Sequence, residues 1–180
     1  SDFCDPRRVP KVIPKLDPNH EGHTRLFFEP LCEPQKNEKT ETISLNEIIK
    51  DVVKKYQGKS INLFLEDDVK MDIRPNSIKR CLSNLIDNAL SHGKKIEIFT
   101  KKTVNKTLIL IDDNGPGVPE NEYQNITKPF YRIDKSRSQN KSGVGLGLSI
   151  TNDIIRSHGG NISFAKSPLD GLRVKIYLPL

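Results

Sequence analysis

The sequence has no tryptophan, a single methionine and few aromatic residues, which make up 6% of its 180 residues. It also lacks a long hydrophobic run, because its longest apolar block, at positions 108–111, has only the length of a strand. No charged segment followed by an apolar one opens the chain, so no secretory signal peptide is predicted. These absences predict a soluble protein without a membrane segment.

Cysteine is scarce as well. Cys4, Cys32 and Cys81 are odd in number and far apart, and the chain contains no C-x-x-C pair of the kind that binds metals. Such a set is typical of reduced, intracellular proteins, and we expect a cytoplasmic location.

The balance of charge is moderately basic, with 29 Lys and Arg against 23 Asp and Glu and a net charge of +6. A basic excess is compatible with nucleic acid, a membrane surface or phosphate ligands. The scarcity of aromatics and the lack of a basic stripe along a helix favour a local phosphate site and no nucleic-acid partner.

Proline divides the chain into two parts. Prolines recur at positions 6, 10, 14, 18, 30 and 34, too often for a helix or a paired strand, so residues 1–39 are predicted to form an irregular or flexible arm. Regular patterns fill residues 40–180, which are predicted to form one domain.

Three helices and six strands are predicted in that domain. A capping box at Ser44 and Glu47 begins the first helix, Pro75 begins a long one that ends at Gly93, and a third covers 146–158. Strands are predicted at 61–66, 69–73, 95–101, 107–112, 161–166 and 173–178. This order predicts an α+β fold, a two-layer α/β sandwich with a mainly antiparallel sheet and helices on one face.

The long helix contains the stretch Asn84-Leu85-Ile86-Asp87-Asn88-Ala89. Asn84 and Asn88 are four residues apart, so their amides share one face beside an apolar stripe. Amide oxygens suit a magnesium ion that keeps several waters and bridges to phosphates. A helix edge with solvated polar side chains is an equally good interpretation of this stretch alone.

Two glycine motifs follow. Asp112-Asp113-Asn114-Gly115-Pro116-Gly117 comes directly after an apolar strand, where a carboxylate could accept from an exocyclic amine such as that of adenine, and glycines permit positive φ and close approach. An ordinary Asp/Asn/Gly turn or a calcium-loop fragment remains the alternative. The second motif, Ser142 to Ile150, has glycines at alternate positions ahead of a helix and could bind an anion, although it is neither a P-loop nor a Rossmann fingerprint.

A basic run separates the two motifs. It contains Lys128, Arg132, Lys135, Arg137 and Lys141. A solvated loop is its ordinary interpretation, but beside an anion cradle these cations could contact phosphate oxygens.

The order Asn-x-x-x-Asn-Ala, Asp-x-Gly-x-Gly, Pro-Phe and Gly-x-Gly-Leu-Gly-Leu resembles the ATP-binding domain of sensor histidine kinases, of the GHKL superfamily and closest to the osmosensor type. The resemblance covers about residues 40–180 and implies the Bergerat ATP-binding fold, with ATP and Mg²⁺ as cofactors. It implies that Asn84 and Asn88 hold Mg²⁺ and act in catalysis with Arg132, and that Asp113 accepts from the adenine amino group. The other nucleotide-binding residues it implies are Gly115, Gly117, Lys128, Phe130, Arg137, Gly143, Gly145, Leu146, Gly147 and Leu148.

Position 84 discriminates within that superfamily. Related ATPases carry a water-activating Glu there, whereas Asn84 cannot take a proton, which favours phosphoryl transfer over hydrolysis. The implied partners are a dimerisation domain that carries the acceptor histidine and, through it, a response regulator. Full-length relatives are anchored in the inner membrane.

The chain departs from the family in its histidines. Only His20, in Asn-His-Glu-Gly-His, begins like an acceptor motif, and that motif fails after two residues. Residues 1–40 are also too short for a helical hairpin of about sixty residues. We therefore expect no acceptor histidine, and a truncated, split or degenerate kinase. A nucleotide-binding regulatory module without kinase activity, acting by protein contact, is the alternative. Ser91 stands where the family usually has Lys or Arg, so that phosphate contact of the family is not carried over to this chain. Val144 in place of Thr or Ser is expected to matter little, because backbone amides would bind the phosphates.

Overall fold

The computed structural model describes residues 12–16, 24–28, 38–66, 68–131 and 145–180. Two compact units divide the chain, Ser1–Asn37 and Glu38–Leu180. None of the described helices is long and apolar enough to cross a membrane.

The first unit contains an antiparallel pair of strands, β1 (Val12–Leu16) and β2 (Thr24–Phe28), in which Pro14 lies opposite Leu26. The proline-based prediction of an arm without paired strands is wrong for these two segments. Each strand of an isolated pair has one free edge, where a proline that lacks an N–H group costs no ladder hydrogen bond.

The second unit is built on a five-stranded sheet. Its strands are β4 (Ser60–Leu65), β6 (Lys95–Lys102), β7 (Lys106–Asp113), β8 (Asn161–Lys166) and β9 (Leu172–Pro179), in the order β4-β6-β7-β9-β8. Only β4 and β6 pair in parallel; the remaining pairs are antiparallel. The mixed, mainly antiparallel sheet is confirmed. A separate pair joins β5 (Lys70–Ile73) to β3 (Glu41–Ser44), a strand that the sequence patterns did not predict.

Among the described residues, three α-helices accompany the sheet: α1 (Leu45–Val53), α2 (Pro75–His92) and α3 (Gly147–Ser157). The predicted cap of α1 is confirmed, because Ser44 Oγ accepts a hydrogen bond of 3.0 Å from the Glu47 amide. The N-terminus of α2 is capped from a distance. The Glu38 carboxylate accepts hydrogen bonds from the backbone amides of Asn76 (2.6 Å) and Ser77 (3.1 Å). The positive end of the helix dipole also stabilises a negative charge at this position.

The core lies between the helices and one face of the sheet. Alternate residues of the strands, such as Ile96, Ile98 and Ile109, are at most 1% exposed, and they share the core with the apolar stripe of α2. Each such side chain contributes about 1.5–3 kcal/mol through burial. The opposite face is open, since Phe64 is 49% exposed and stacks on Phe99 at 4.8 Å. The predicted two-layer sandwich is confirmed.

Candidate functional site

The two asparagines of α2 lie at the edge of the core rather than in it. Asn84 is half-buried, and its Nδ2 makes a long contact of 3.5 Å with the carbonyl oxygen of Gly147, which leaves Oδ1 available as an acceptor. Asn88 is also half-buried, and none of the described residues forms a hydrogen bond with its side-chain amide. The predicted magnesium ligands therefore present unused amide oxygens on one helix face.

Asp87, between them, has a different role. Its Oδ1 accepts a hydrogen bond of 2.8 Å from the hydroxyl of Tyr56, in the short 3-10 helix after α1. Burial, followed by this hydrogen bond, raises the pKa of Tyr56 to about 12. The sequence patterns did not indicate this contact.

At the end of β7, two neighbouring carboxylates point to opposite faces of the sheet. Asp112 is 1% exposed and makes a bidentate ion pair with Arg173, at 2.7 and 2.6 Å. Asp113 is 5% exposed, and its Oδ1 accepts from the amides of Gly115 (2.8 Å) and Leu172 (3.2 Å). Its Oδ2 has no hydrogen-bond partner among the described residues. Asp112 is thus structural, and Asp113 retains one free acceptor.

Gly171 makes the placement of Asp113 possible. A Cβ atom at Gly171 would overlap Asp113 and lie 2.6 Å from the amide nitrogen of Gly115. Local sequence patterns do not connect Gly171 with Asp113, which is far away along the chain. The sequence offered only a weak signal, namely a glycine after Asp170 just before a strand.

Positive φ, one of the two properties expected of the glycines after Asp113, is found at one of them. Gly117 has a φ of 73°, which favours glycine, whereas Gly115 is not at positive φ. Gly115 instead permits a close approach, because a Cβ there would lie 3.0 Å from the carbonyl oxygen of His92.

The start of α3 has no side-chain cap among the described residues. The amides of its first turn therefore lack acceptors in the part of the chain that the structure describes. A Cβ at Gly147 would meet only Asn84 Cβ, at an ordinary 3.9 Å, so the packing of the described residues does not require glycine there. The start of α3 thus lies next to Asn84, and its first-turn amides have no acceptor among the described residues. A side chain at position 147 would fill the space beside these amides. Leu146 precedes this turn, and Leu148 packs against the core.

Phe130 and Gly145, which lie on either side of residues 132–144, are in contact. The Phe130 amide donates to the Gly145 carbonyl oxygen at 3.1 Å, and a Cβ at Gly145, whose φ is 75°, would lie 3.1 Å from the Tyr131 carbonyl oxygen. Phe130 itself has a φ of 62° and is 50% exposed. Of the predicted cations, Lys128 donates to Asn125 Oδ1 at 2.7 Å.

The remaining predicted residues, Arg132, Arg137 and Gly143, lie outside the described residues, as do Lys135, Lys141 and His20. Within the described ranges, no three His, Cys, Asp or Glu residues come together as a metal cluster. A divalent cation here would depend on the amide oxygens and on phosphate oxygens brought by its ligand.

Comparison with known proteins agrees with this geometry. Residues 73–180 match the family described as Histidine kinase-, DNA gyrase B-, and HSP90-like ATPase. The sensor histidine kinase CpxA of Escherichia coli K12 is 36% identical over an alignment of 149 residues that covers 78% of this chain. The chain belongs to the histidine kinase-like ATPases. Its curated relatives are sensor kinases, among them GtrS of Pseudomonas aeruginosa at 31% identity over 79% of this chain.

Solved structures place this ATPase domain among histidine kinase catalytic domains. The kinase domain of the E. coli osmosensor EnvZ has a TM-score of 0.63 and 27% identity, and covers 81% of this chain and 92% of its own. The ATP-binding domain of PrrB from Mycobacterium tuberculosis has a TM-score of 0.64 and 25% identity, covering 78% of this chain and 97% of its own. The predicted Bergerat-type fold and osmosensor-type resemblance are confirmed.

The chain spans only about a third of the length of its curated relatives, 33% for CpxA and 30% for GtrS. The activities of those whole proteins are therefore only proposed for this ATPase domain.

Proposed function

We propose that this ATPase domain binds Mg-ATP and supplies the γ-phosphoryl group for a histidine on a separate dimerisation domain of a sensor kinase. The proposal rests on the contact between Asn84 and the uncapped start of α3. The same unit contains Asp113, whose Oδ2 is a free acceptor among the described residues.

The adenine end is assigned to Asp113. Two backbone amides hold its Oδ1, which fixes the direction of Oδ2. A fixed acceptor in a nearly buried position can take a hydrogen bond from the adenine amino group, and a bond to a charged group contributes about 1.5–3 kcal/mol. Gly115 and Gly171 keep side chains out of the space around this carboxylate, because a Cβ at either position would crowd Asp113 Oδ1.

The phosphate end is assigned to α2 and α3. The free amides of the first turn of α3 and the positive end of its dipole suit phosphate oxygens. Asn84 and Asn88 supply the neutral oxygen ligands that would hold Mg²⁺. A bound Mg²⁺ would neutralise charge on the phosphate oxygens. Arg132 and Arg137 add cations by family resemblance.

Transfer is favoured over hydrolysis by the chemistry of Asn84. An amide cannot take a proton, so it cannot activate water as a carboxylate would. The contribution of the protein is then to orient the nucleotide and to stabilise charge. The acceptor histidine, a downstream response regulator and a location at the cytoplasmic side of the membrane are proposed from the related sensor kinases.

Of the two histidines in the described residues, His158 has both ring nitrogens engaged and is not suited to accept phosphate. His158 Nδ1 lies 2.7 Å from the carbonyl oxygen of Ile154, to which it donates, and its Nε2 accepts from the Arg74 amide at 3.1 Å. His92 is exposed at the end of α2. We expect no autophosphorylation of the isolated chain.

The test is incubation with ATP labelled on the γ-phosphate, alone and with a purified dimerisation domain from a similar kinase. Label on the added domain, lost when its acceptor histidine is replaced, is the expected result. Saturable ATP binding without any transfer would instead favour the regulatory module. Label on this chain alone would identify an acceptor within it and contradict the proposal.

A further inference from the structure

Asn114 joins the two ends of the proposed nucleotide site. Its Oδ1 accepts hydrogen bonds from two successive amides, those of Lys94 at 2.7 Å and Lys95 at 2.8 Å. Its own amide donates to the Lys95 carbonyl oxygen at 3.2 Å. Both lone pairs of the side-chain oxygen are therefore engaged, although the residue is exposed.

Two glycines allow these segments to approach each other. A Cβ at Gly93 would lie 2.9 Å from Asn114 Oδ1 and 3.0 Å from the Gly115 amide, and one at Gly115 would lie 3.0 Å from the His92 carbonyl oxygen. The last turn of α2 and the loop after β7 are thus in direct contact.

The contact has a geometric consequence. Helix α2 carries Asn84 and Asn88, whereas Asp113 stands at the end of β7, one residue before Asn114. The carboxylate of Asp113 is held by the amides of Gly115 and Leu172 and not by those of Lys94 and Lys95. The bonds of Asn114 therefore do not hold that carboxylate itself; together with the pairing of β6 and β7, they fix the end of α2 relative to it.

We propose that Asn114 is a positioning residue that sets the distance between the adenine acceptor and the metal-binding face of α2. The inference rests on the proposed function. A ligand held at both ends senses this distance, whereas a ligand held only at the adenine end does not.

The experiment compares Mg-ATP with adenosine on the full chain, by calorimetric titration. Asn114→Ala removes the acceptor, and Asn114→Asp retains it with the same shape. The matched control is Thr103→Ala, which removes a 2.7 Å bond to the Lys106 carbonyl oxygen at the opposite end of β6 and β7.

For Asn114→Ala we expect the Kd for Mg-ATP to rise about tenfold while that for adenosine changes less than about threefold, from the loss of two ordinary hydrogen bonds. Asn114→Asp is expected to stay near the parent for both ligands, as is Thr103→Ala. If Asn114→Ala does not fold, Asn114→Gln replaces it, because the longer side chain shifts the acceptor without deleting it.

Equal losses for both ligands, or no loss for either, would overturn the positioning role and leave the proposed function intact. A parent chain that binds adenosine but not Mg-ATP, or neither ligand, would overturn both.

Discussion

Asn84 Nδ2 lies 3.5 Å from the carbonyl oxygen of Gly147, and this contact brings the middle of α2 to the start of α3. One residue is a predicted magnesium ligand and the other opens a helix with free amides. Neither motif alone discriminated between a ligand site and an ordinary helix edge or loop. Their contact supports one phosphate-binding site, and it yields predictions that separate binding from stability.

Gly147→Ala is expected to weaken ATP binding without weakening the fold. The added methyl group meets only Asn84 Cβ at 3.9 Å among described atoms, and alanine in place of glycine stabilises by about 0.4–1 kcal/mol where the backbone accepts it. The methyl group would, however, occupy the space assigned to a phosphate. Thermal unfolding and nucleotide titration of one preparation measure both effects, and unchanged affinity would exclude Gly147 from the site.

Gly171→Ala is expected to do the opposite, destabilising the domain through overlap with Asp113. Overpacking of this kind typically costs about 1–3 kcal/mol. Gly58→Ala is the control, since Gly58 has a φ of 79° but nothing within 4 Å of its Cβ position. In chemical denaturation, Gly171→Ala should lower the free energy of unfolding more than Gly58→Ala does. Gly171 is not at positive φ, so a loss no larger than that of Gly58→Ala would contradict overlap with Asp113 as the greater cost.

Asp113→Asn is expected to reverse the hydrogen-bonding preference at the adenine end. The Gly115 and Leu172 amides require an oxygen at the Oδ1 position, which places the amide NH₂ where Oδ2 now stands. A donor would then face the adenine amino group. Affinity for ATP should fall about tenfold or more, and the preference for ATP over GTP should shrink in competition titrations. Asp153→Asn, on the exposed side of α3, should change neither.

The stability of the domain should decrease in mild acid because of His158. Burial holds the pKa of its imidazole below the usual value, and the positive charge of Arg74 lowers this pKa further. The hydrogen bond to the Ile154 carbonyl oxygen and the negative charge of Glu38 act in the opposite direction without reversing the shift. The unfolded state therefore binds the proton more readily. Stability is fully present above the unfolded pKa of about 6.5 and is lost as the pH falls below it.

Denaturant unfolding between about pH 8 and 5 measures this dependence. His158→Gln retains a side chain that can hydrogen-bond but does not titrate, and its curve should be flatter over this range. A parallel slope for parent and variant would assign the acid sensitivity to other groups.

Local patterns predicted most of the domain because its signals are local. Ser44, Pro75 and Gly93 mark helix ends through backbone geometry within a few residues, and alternation along the strands reports which face is buried. The six predicted strands and three predicted helices are therefore present, with ends shifted by a few residues.

Contacts between distant residues could not be predicted in this way. Glu38 caps a helix 38 residues further along, and Arg74 meets His158 across 84 residues, so only the packed fold brings these groups together. Pro14 illustrates another limit, because its cost in a strand depends on which edge is free, and the one-dimensional pattern does not contain that information.

The central claim is tested most directly by titrating the 180-residue chain with ATP in the presence and absence of Mg²⁺, with Asn88→Ala beside it. Asn62→Ala, at an exposed position of β4, is the matched control. We predict saturable one-to-one binding that weakens when Mg²⁺ is chelated or Asn88 is replaced, and that is unchanged in the Asn62 variant. Absence of saturable binding, or equal affinity of the Asn88 variant and the parent, would contradict the account.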